Sequence, residues 1–282
     1  MLKTGVTLGC AAAMIVATVL VVRMRDTRRT PSPLAGNEPF VERLAVTVSR
    51  TGGMLVGAYL AGALTIGAGA RLMMRVLAAT SSDDVQGQLT EADEVIGNVS
   101  FGGSMFLITI VGIGAAVVGL ALYATLRRWL PDRSLAAGLI GVAIGAGLLV
   151  RPAGLLTADN RDFTLVAPVA LAVAFCLAML ALFGATFGVL VDRLAPRWPR
   201  PGWSLRGVGA LVPFAMLLAA PPIFVASVIG VLAGTAAPTL RPAAPPATLQ
   251  RTSARFGRIV VVTLGGLGTL SIVVAAGQVL AL

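Results

Sequence analysis

The chain has 282 residues, 57% of them hydrophobic and only 12% charged, with a mean hydropathy of +0.90, whereas a soluble globular domain carries roughly a quarter charged residues. Those values exclude an ordinary soluble domain and lead to the expectation of an integral membrane protein. A net charge of +10 would point to nucleic acid in a soluble chain. Here the arginines flank apolar stretches, within reach of anionic lipid headgroups, and no basic stripe with interleaved aromatics accompanies them, so no nucleic-acid partner is expected.

Seven charge-free windows, 5–22, 52–70, 102–126, 134–150, 163–191, 208–234 and 259–282, each lie near the roughly 20 residues a spanning helix needs. The expected fold class is all-α: one membrane domain over 1–282, a polytopic transmembrane helix bundle of seven spans. The longest connection, 71–101, is too short for a core of its own.

Taken in order, the first window has Lys3 before it and Arg23, Arg25, Arg28 and Arg29 after it. Basic residues close to a span stay on the cytoplasmic side, so this reads as an uncleaved anchor with its N-terminus outside. Alternation then assigns 23–51, 127–133 and 192–207 to the cytoplasm, and Trp129, Trp198 and Trp203 fall in those same connections, at the headgroup level their rings prefer. Residues 26–39 are too rich in Arg, Pro and Thr to fold by themselves. From Asn37, a candidate cap, Phe40, Val41, Leu44 and Val48 recur at helical spacing and predict an interfacial helix within the 23–51 linker.

The second window is followed by no helix breaker until about Ala79, which places Arg71 and Arg75 one turn apart, emerging on the outer surface. Next comes the most acidic stretch, with Asp83, Asp84, Glu91, Asp93 and Glu94. Thr90 and Asp93 stand at capping spacing, ahead of a short surface helix carrying Val95, Ile96 and Val99. The connection 151–162 adds Arg151, Asp159, Arg161 and Asp162 on the same side. Residues 71–101 and 151–162 thus form an expected extracytoplasmic polar cap. Its candidate ligand- or partner-binding residues are Arg71, Arg75, Glu91, Asp93, Glu94, Asp159 and Asp162. The plainer reading is that the arginines pair with the carboxylates and pin the loops to the helix ends.

One window resists simple alternation. Residues 208–234 contain Pro213, Pro221 and Pro222, and a full span there puts Arg241, Arg251, Arg255 and Arg258 outside. A re-entrant hairpin instead gives six spans and leaves 17 of the 22 basic residues inside rather than 13. The kinked full span is the preferred reading, because so long an apolar run rarely turns back without polar company.

Glycine pairs at GxxxG spacing, among them Gly53/Gly57, Gly141/Gly145 and Gly184/Gly188, are about as frequent as 33 glycines produce by chance. They predict close helix packing, within the chain or between copies. The sequence has no histidine, which removes Ser-His and Cys-His nucleophiles and zinc-protease spacing. An acid-only mechanism or a divalent cation held by the cap carboxylates has no diagnostic spacing. The expectation is no enzyme, no metal and no cofactor.

The run RLMMR from Arg71, the segment LTEADEVIG from Leu89, the pair Gly102 and Gly103, and ADNRDF from Ala158 resemble a group of uncharacterised multipass proteins frequent in high-GC actinobacteria. The resemblance covers about 69–163. It implies a bacterial cytoplasmic (plasma) membrane location and carries no activity; 21 arginines against one lysine suit a GC-rich genome. The resulting expectation is a non-catalytic scaffold or accessory subunit whose partners are the lipid bilayer and either another membrane protein or a second copy. The alternative is a small-solute transporter using the broken sixth window. A water-lined cavity would favour transport and a dry core the scaffold.

Overall fold

The computed structural model describes residues 2–28, 39–89, 95–96, 100–149, 156–165, 167–202, 204–214 and 247–281. Regular structure among them is helical. Among the described residues, five helices are long and apolar enough to cross a membrane: Thr4–Met24, Phe40–Thr80, Phe101–Leu126, Val169–Leu194 and Arg255–Leu280, with Ser134–Leu149 a shorter apolar helix. The protein is a helical bundle of membrane-embedded type, and the surface agrees. Phe256, Ile259, Val262, Leu267, Leu270 and Val273 all lie exposed on the last helix, while Val261, Ala275, Ala276 and Val279 on its other face are buried. Apolar residues pointing away from the core suit hydrocarbon as solvent, since water would penalise so large a contiguous patch.

The first helix, α1 (Leu2–Met24), is followed by a single helical rod made of α2 (Phe40–Ala61), a π-helical segment (Gly62–Gly67) and α3 (Ala68–Thr80). At 1.5 Å per residue its 41 residues reach about 60 Å, twice the roughly 30 Å of a bilayer's hydrocarbon. The separate interfacial helix expected before the second span is therefore this rod's first part. Ser49 and Thr51–Leu55 are buried, and Ser49 Oγ donates to the Trp198 carbonyl at 2.7 Å, so the chain has no free stretch in which to turn. Asn37 lies outside the described residues, and Pro39 stands where the rod begins.

The next rod repeats the design, with α4 (Phe101–Phe106), a second π segment (Leu107–Val111) and α5 (Gly112–Leu126). The two π segments pack side by side. Widening a helix from i→i+4 to i→i+5 frees a backbone carbonyl. The Thr65 hydroxyl donates to the Ala61 carbonyl at 2.6 Å, and Thr109 donates to the Met105 carbonyl in the same i−4 pattern.

Then follow α6 (Ser134–Leu149), the short α7 (Arg161–Leu165), α8 (Val169–Leu194), the one-turn α9 (Leu205–Gly209) and α10 (Ala247–Leu280). Glycine sets the closest crossings. Gly53 and Gly57 of α2 face the α8 backbone at Leu194 and Leu190, and Gly138 of α6 faces Gly184 and Gly188 of α8. Both GxxxG pairs thus join helices within the chain, whereas nothing stands within 4 Å of where a Gly5, Gly9 or Gly141 side chain would begin.

The contacts also fix which end of the bundle each helix starts from. Thr27 and Arg28 pair with Ser134 and Arg133, and Trp198 meets Ser49 and Gly52, so 24–28, 39–52, 126–134, 192–202 and 204–210 share one end, rich in arginine. Thr80 and Ser81 bond the Ala167 carbonyl at the opposite end. The last helix departs from expectation. Gly257 lies against the Trp129 ring, Gly268 against Ala143, and Ser271 Oγ donates to the Gly147 carbonyl at 3.2 Å. Thus α10 runs parallel to α6 and begins, with Arg255 and Arg258, at the arginine-rich end rather than the far end required by alternation through seven spans. Phe214 packs onto the core, close to where Trp198 Nε1 donates to the Ala210 carbonyl at 3.2 Å. The chain therefore leaves the described structure at Phe214 and rejoins it at Ala247 on the same end of the bundle. Residues 215–234 of the sixth window, with Pro221 and Pro222, lie outside the described residues.

Candidate functional site

Of the expected cap residues, Glu91, Asp93 and Glu94 lie outside the described residues, as do Thr90 and Arg151. Asp159 is exposed in the turn before α7, and Asp162 is half-buried with its backbone N–H on Asn160 Oδ1 at 2.9 Å. The bond from Thr80 to Ala167 places both at the same end as α3. Arg75 is half-buried. Arg71 does not emerge on the outer surface: it is 4% exposed. Its Nε donates to Ser104 Oγ at 2.9 Å and an Nη to the Ser100 carbonyl at 3.2 Å. Those partners are neutral, so Arg71 ties the α3 rod to the start of the next helix instead of presenting charge to a ligand. The physical reason is reach: Ser100 and Ser104 stand one turn apart beside α3 and offer two oxygens to a planar fork of donors.

A second polar cluster sits at the arginine-rich end. Asp192, 3% exposed near the end of α8, accepts from the Tyr123 hydroxyl at 2.7 Å and from Ser134 Oγ at 2.8 Å. Three helices, α5, α6 and α8, are joined through one carboxylate. Arg50 lies within electrostatic range of both Asp192 and Arg127, so the carboxylate has positive charge beside it. The fifth window ends at Val191, which places Asp192 in the cytoplasmic connection 192–207. An acid directly against the apolar run was the signal available.

Between these polar ends lies a cavity of about 540 Å³. One wall is the second π segment and α5, with Val111, Ala115, Val118 and Leu122; another is α6, with Gly138, Gly141, Val142 and Gly145; the third is α8, with Cys176, Met179, Phe183 and Phe187. The lining is almost wholly apolar, its polar atoms confined to residues such as Tyr123 and Cys176. Space exists here because the facing positions lack side chains: nothing lies within 4 Å of a Gly141 Cβ, and Gly145 would meet only a Leu122 methyl, at 2.8 Å.

The cavity is closed at one end and open at the other. Tyr123 and Phe187 are 1% and 3% exposed at the arginine-rich end, whereas Ile110 and Leu149 are 39% and 40% exposed towards the opposite end. From Ile110 to Tyr123 the lined depth is roughly 20 Å at 1.5 Å per residue.

Among the described residues no group of His, Cys, Asp or Glu side chains is placed to hold a metal ion. Comparison with known protein families, curated proteins and solved structures finds no match to this chain.

Proposed function

We propose that the protein is a non-catalytic component of a bacterial cytoplasmic membrane that holds the hydrocarbon chain of a lipid between α5, α6 and α8. The observation that carries this reading is the cavity's size together with its apolar lining. Left empty, an apolar cleft of this size would forgo the dispersion contacts of all three of its walls. Water does not relieve that cost, because an apolar cavity offers it no hydrogen-bond partners. The open side faces the surface that carries the exposed apolar residues, where lipid tails are the solvent. A small-solute transporter, the alternative from sequence, needs a polar path, and this lining does not supply one.

Pro213, near the end of the described stretch 204–214, faces a separate crevice on another face of α5, against Leu55, Tyr59, Ile113 and Ala116. Protein purified in mild detergent is expected to retain one lipid-sized adduct in native mass spectrometry. Gly141→Leu, which fills open space, should lose the adduct at unchanged melting temperature. Wild-type protein free of lipid, together with a destabilised Gly141→Leu variant, would mean that residues 215–246 fill the cavity and would overturn the proposal.

Six crossings, with the N-terminus and the cavity mouth outside, form the orientation we propose with it. Its support is the crowding of arginines at the end holding Arg28, Arg127, Arg133, Arg197, Arg255 and Arg258, which the positive-inside rule assigns to the cytoplasm. On a background lacking Cys10 and Cys176, Arg258→Cys is expected to resist a membrane-impermeant thiol reagent in intact cells and to react after lysis. Leu89→Cys is expected to react in intact cells. The reverse pattern at position 258 would restore the seven-span count.

A further inference from the structure

The geometry points to a chain-length ruler in this cavity: Tyr123, Phe183 and Phe187 form an aromatic floor that limits how long a single acyl chain, entering from the outer leaflet, can be. This inference rests on the lipid-chain reading above and adds the class of lipid selected.

Three observations support it. The floor is a packed unit and not a loose end. The Tyr123 and Phe187 rings meet edge to face with centroids 5.7 Å apart and planes at 75°, and the Phe183 ring lies 5.6 Å from that of Phe187. Arrangements of this kind are favoured beyond their buried area. The unit is also fixed from behind. The Tyr123 hydroxyl is held by the buried Asp192 carboxylate, which Ser134 Oγ holds in turn. A chain that pushed past the floor would have to strip a buried charge of its donors. Finally, Phe187 has little room to swing aside, because its ring stands 3.2 Å from where a Gly119 Cβ would begin, on the wall opposite α8.

Depth then converts into chain length. The roughly 20 Å between the mouth and the floor exceeds half of a ~30 Å hydrocarbon core. A chain seated here therefore reaches past the midplane and fills the cavity when it is about as long as an extended hexadecanoyl group. Shorter chains leave void at the floor, with the cost that unfilled apolar volume carries. Longer ones must leave methylenes outside the walls, where they gain nothing over bulk lipid. Because both α8 rings approach from the same helix, shortening one moves the floor without opening the sides.

The test is a competition series. Purified protein is loaded with one-chain lysophospholipids of graded length, from dodecanoyl to eicosanoyl, and bound fractions are read by native mass spectrometry. Wild-type occupancy is expected to rise up to hexadecanoyl and then level off or fall. Phe187→Leu should move the optimum longer by about one or two methylene pairs, and Phe187→Ala by more. Tyr123→Phe, which keeps the ring but removes the hydroxyl that holds it from behind, should lower the melting temperature and lengthen the optimum by less than Phe187→Leu does. If Phe187→Ala does not fold, Phe187→Leu alone decides. An optimum unchanged in the Phe187 variants would overturn the ruler while leaving the cavity's occupancy by lipid intact. Failure of wild-type protein to bind chains of any length would instead strike the underlying lipid-chain reading.

Discussion

Asp192→Ala is expected to destabilise the folded bundle by about 2–5 kcal/mol, because it removes the acceptor of two buried hydroxyls at once. Tyr123 and Ser134 both donate to that carboxylate, from different helices. A hydrogen bond to a charged group is worth about 1.5–3 kcal/mol, and a buried donor left without an acceptor costs about 1–3 kcal/mol. Single removal of a donor, as Tyr123→Phe or Ser134→Ala, should cost about half as much. Asp192→Asn should fall between, since an amide keeps one acceptor oxygen but turns an NH2 group towards the other hydroxyl. Melting of the purified protein in detergent measures the series. A loss for Asp192→Ala no greater than for Tyr123→Phe would show that the carboxylate does not join the three helices.

The second large effect belongs to Gly138. A Cβ built there would lie on the Gly184 carbonyl and 2.9 Å from the backbone of Gly188, and one built on Gly188 would lie on the Ser134 carbonyl. Both obstacles are main chain within helices and cannot turn aside as a flexible side chain does. Gly138→Val should therefore reach or exceed the upper end of the ~1–3 kcal/mol usual for overpacking. Prying α6 from α8 also pulls Ser134 from Asp192, so this variant and Ser134→Ala should be less than additive, as expected of neighbours sharing one interaction. Thermal melts of the two single variants and the double variant test both statements. Gly141→Leu, one turn away and facing open space, supplies the comparison. Equal losses at positions 138 and 141 would mean that propensity, not the crossing, accounts for the effect.

What could be read without coordinates followed from how each feature is encoded. Long apolar windows are set by composition over some twenty residues, and α1, the rods through α2 and α4, α8 and α10 each overlap one of those windows. Continuity of the second helix past Arg75 followed from the absence of a breaker before Ala79, and α3 does run to Thr80. Arg71 was misplaced for a reason general to such chains: sequence shows that a charge is near a helix end but not which neighbouring helix arrives beside it. Ser100 and Ser104, spaced one turn apart, give no sign in sequence that they face an arginine 29 and 33 positions earlier.

Glycine was the hardest signal. Gly138 and Gly141 belong to the same helix and look equivalent in sequence. Yet one is filled by an opposing backbone, while the other opens a cavity. Only the position of α8 relative to α6 separates the two cases. The direction of α10 was likewise hidden, because charge counting across a proline-broken window permits two answers. The contact of Gly257 with Trp129 chooses between them for the helix's orientation.

The most direct trial of the account delivers a phospholipid with a photoreactive diazirine near the end of its acyl chain to the outer leaflet of vesicles bearing the protein, in the proposed orientation. After illumination, adducts are mapped by peptide mass spectrometry. The account predicts adducts concentrated on residues 115–123 and 183–187 at the floor of the cavity, and their loss in Gly141→Leu. Adducts confined to the outward face of α10, around Ile259 and Val262, and indifferent to Gly141→Leu would contradict it.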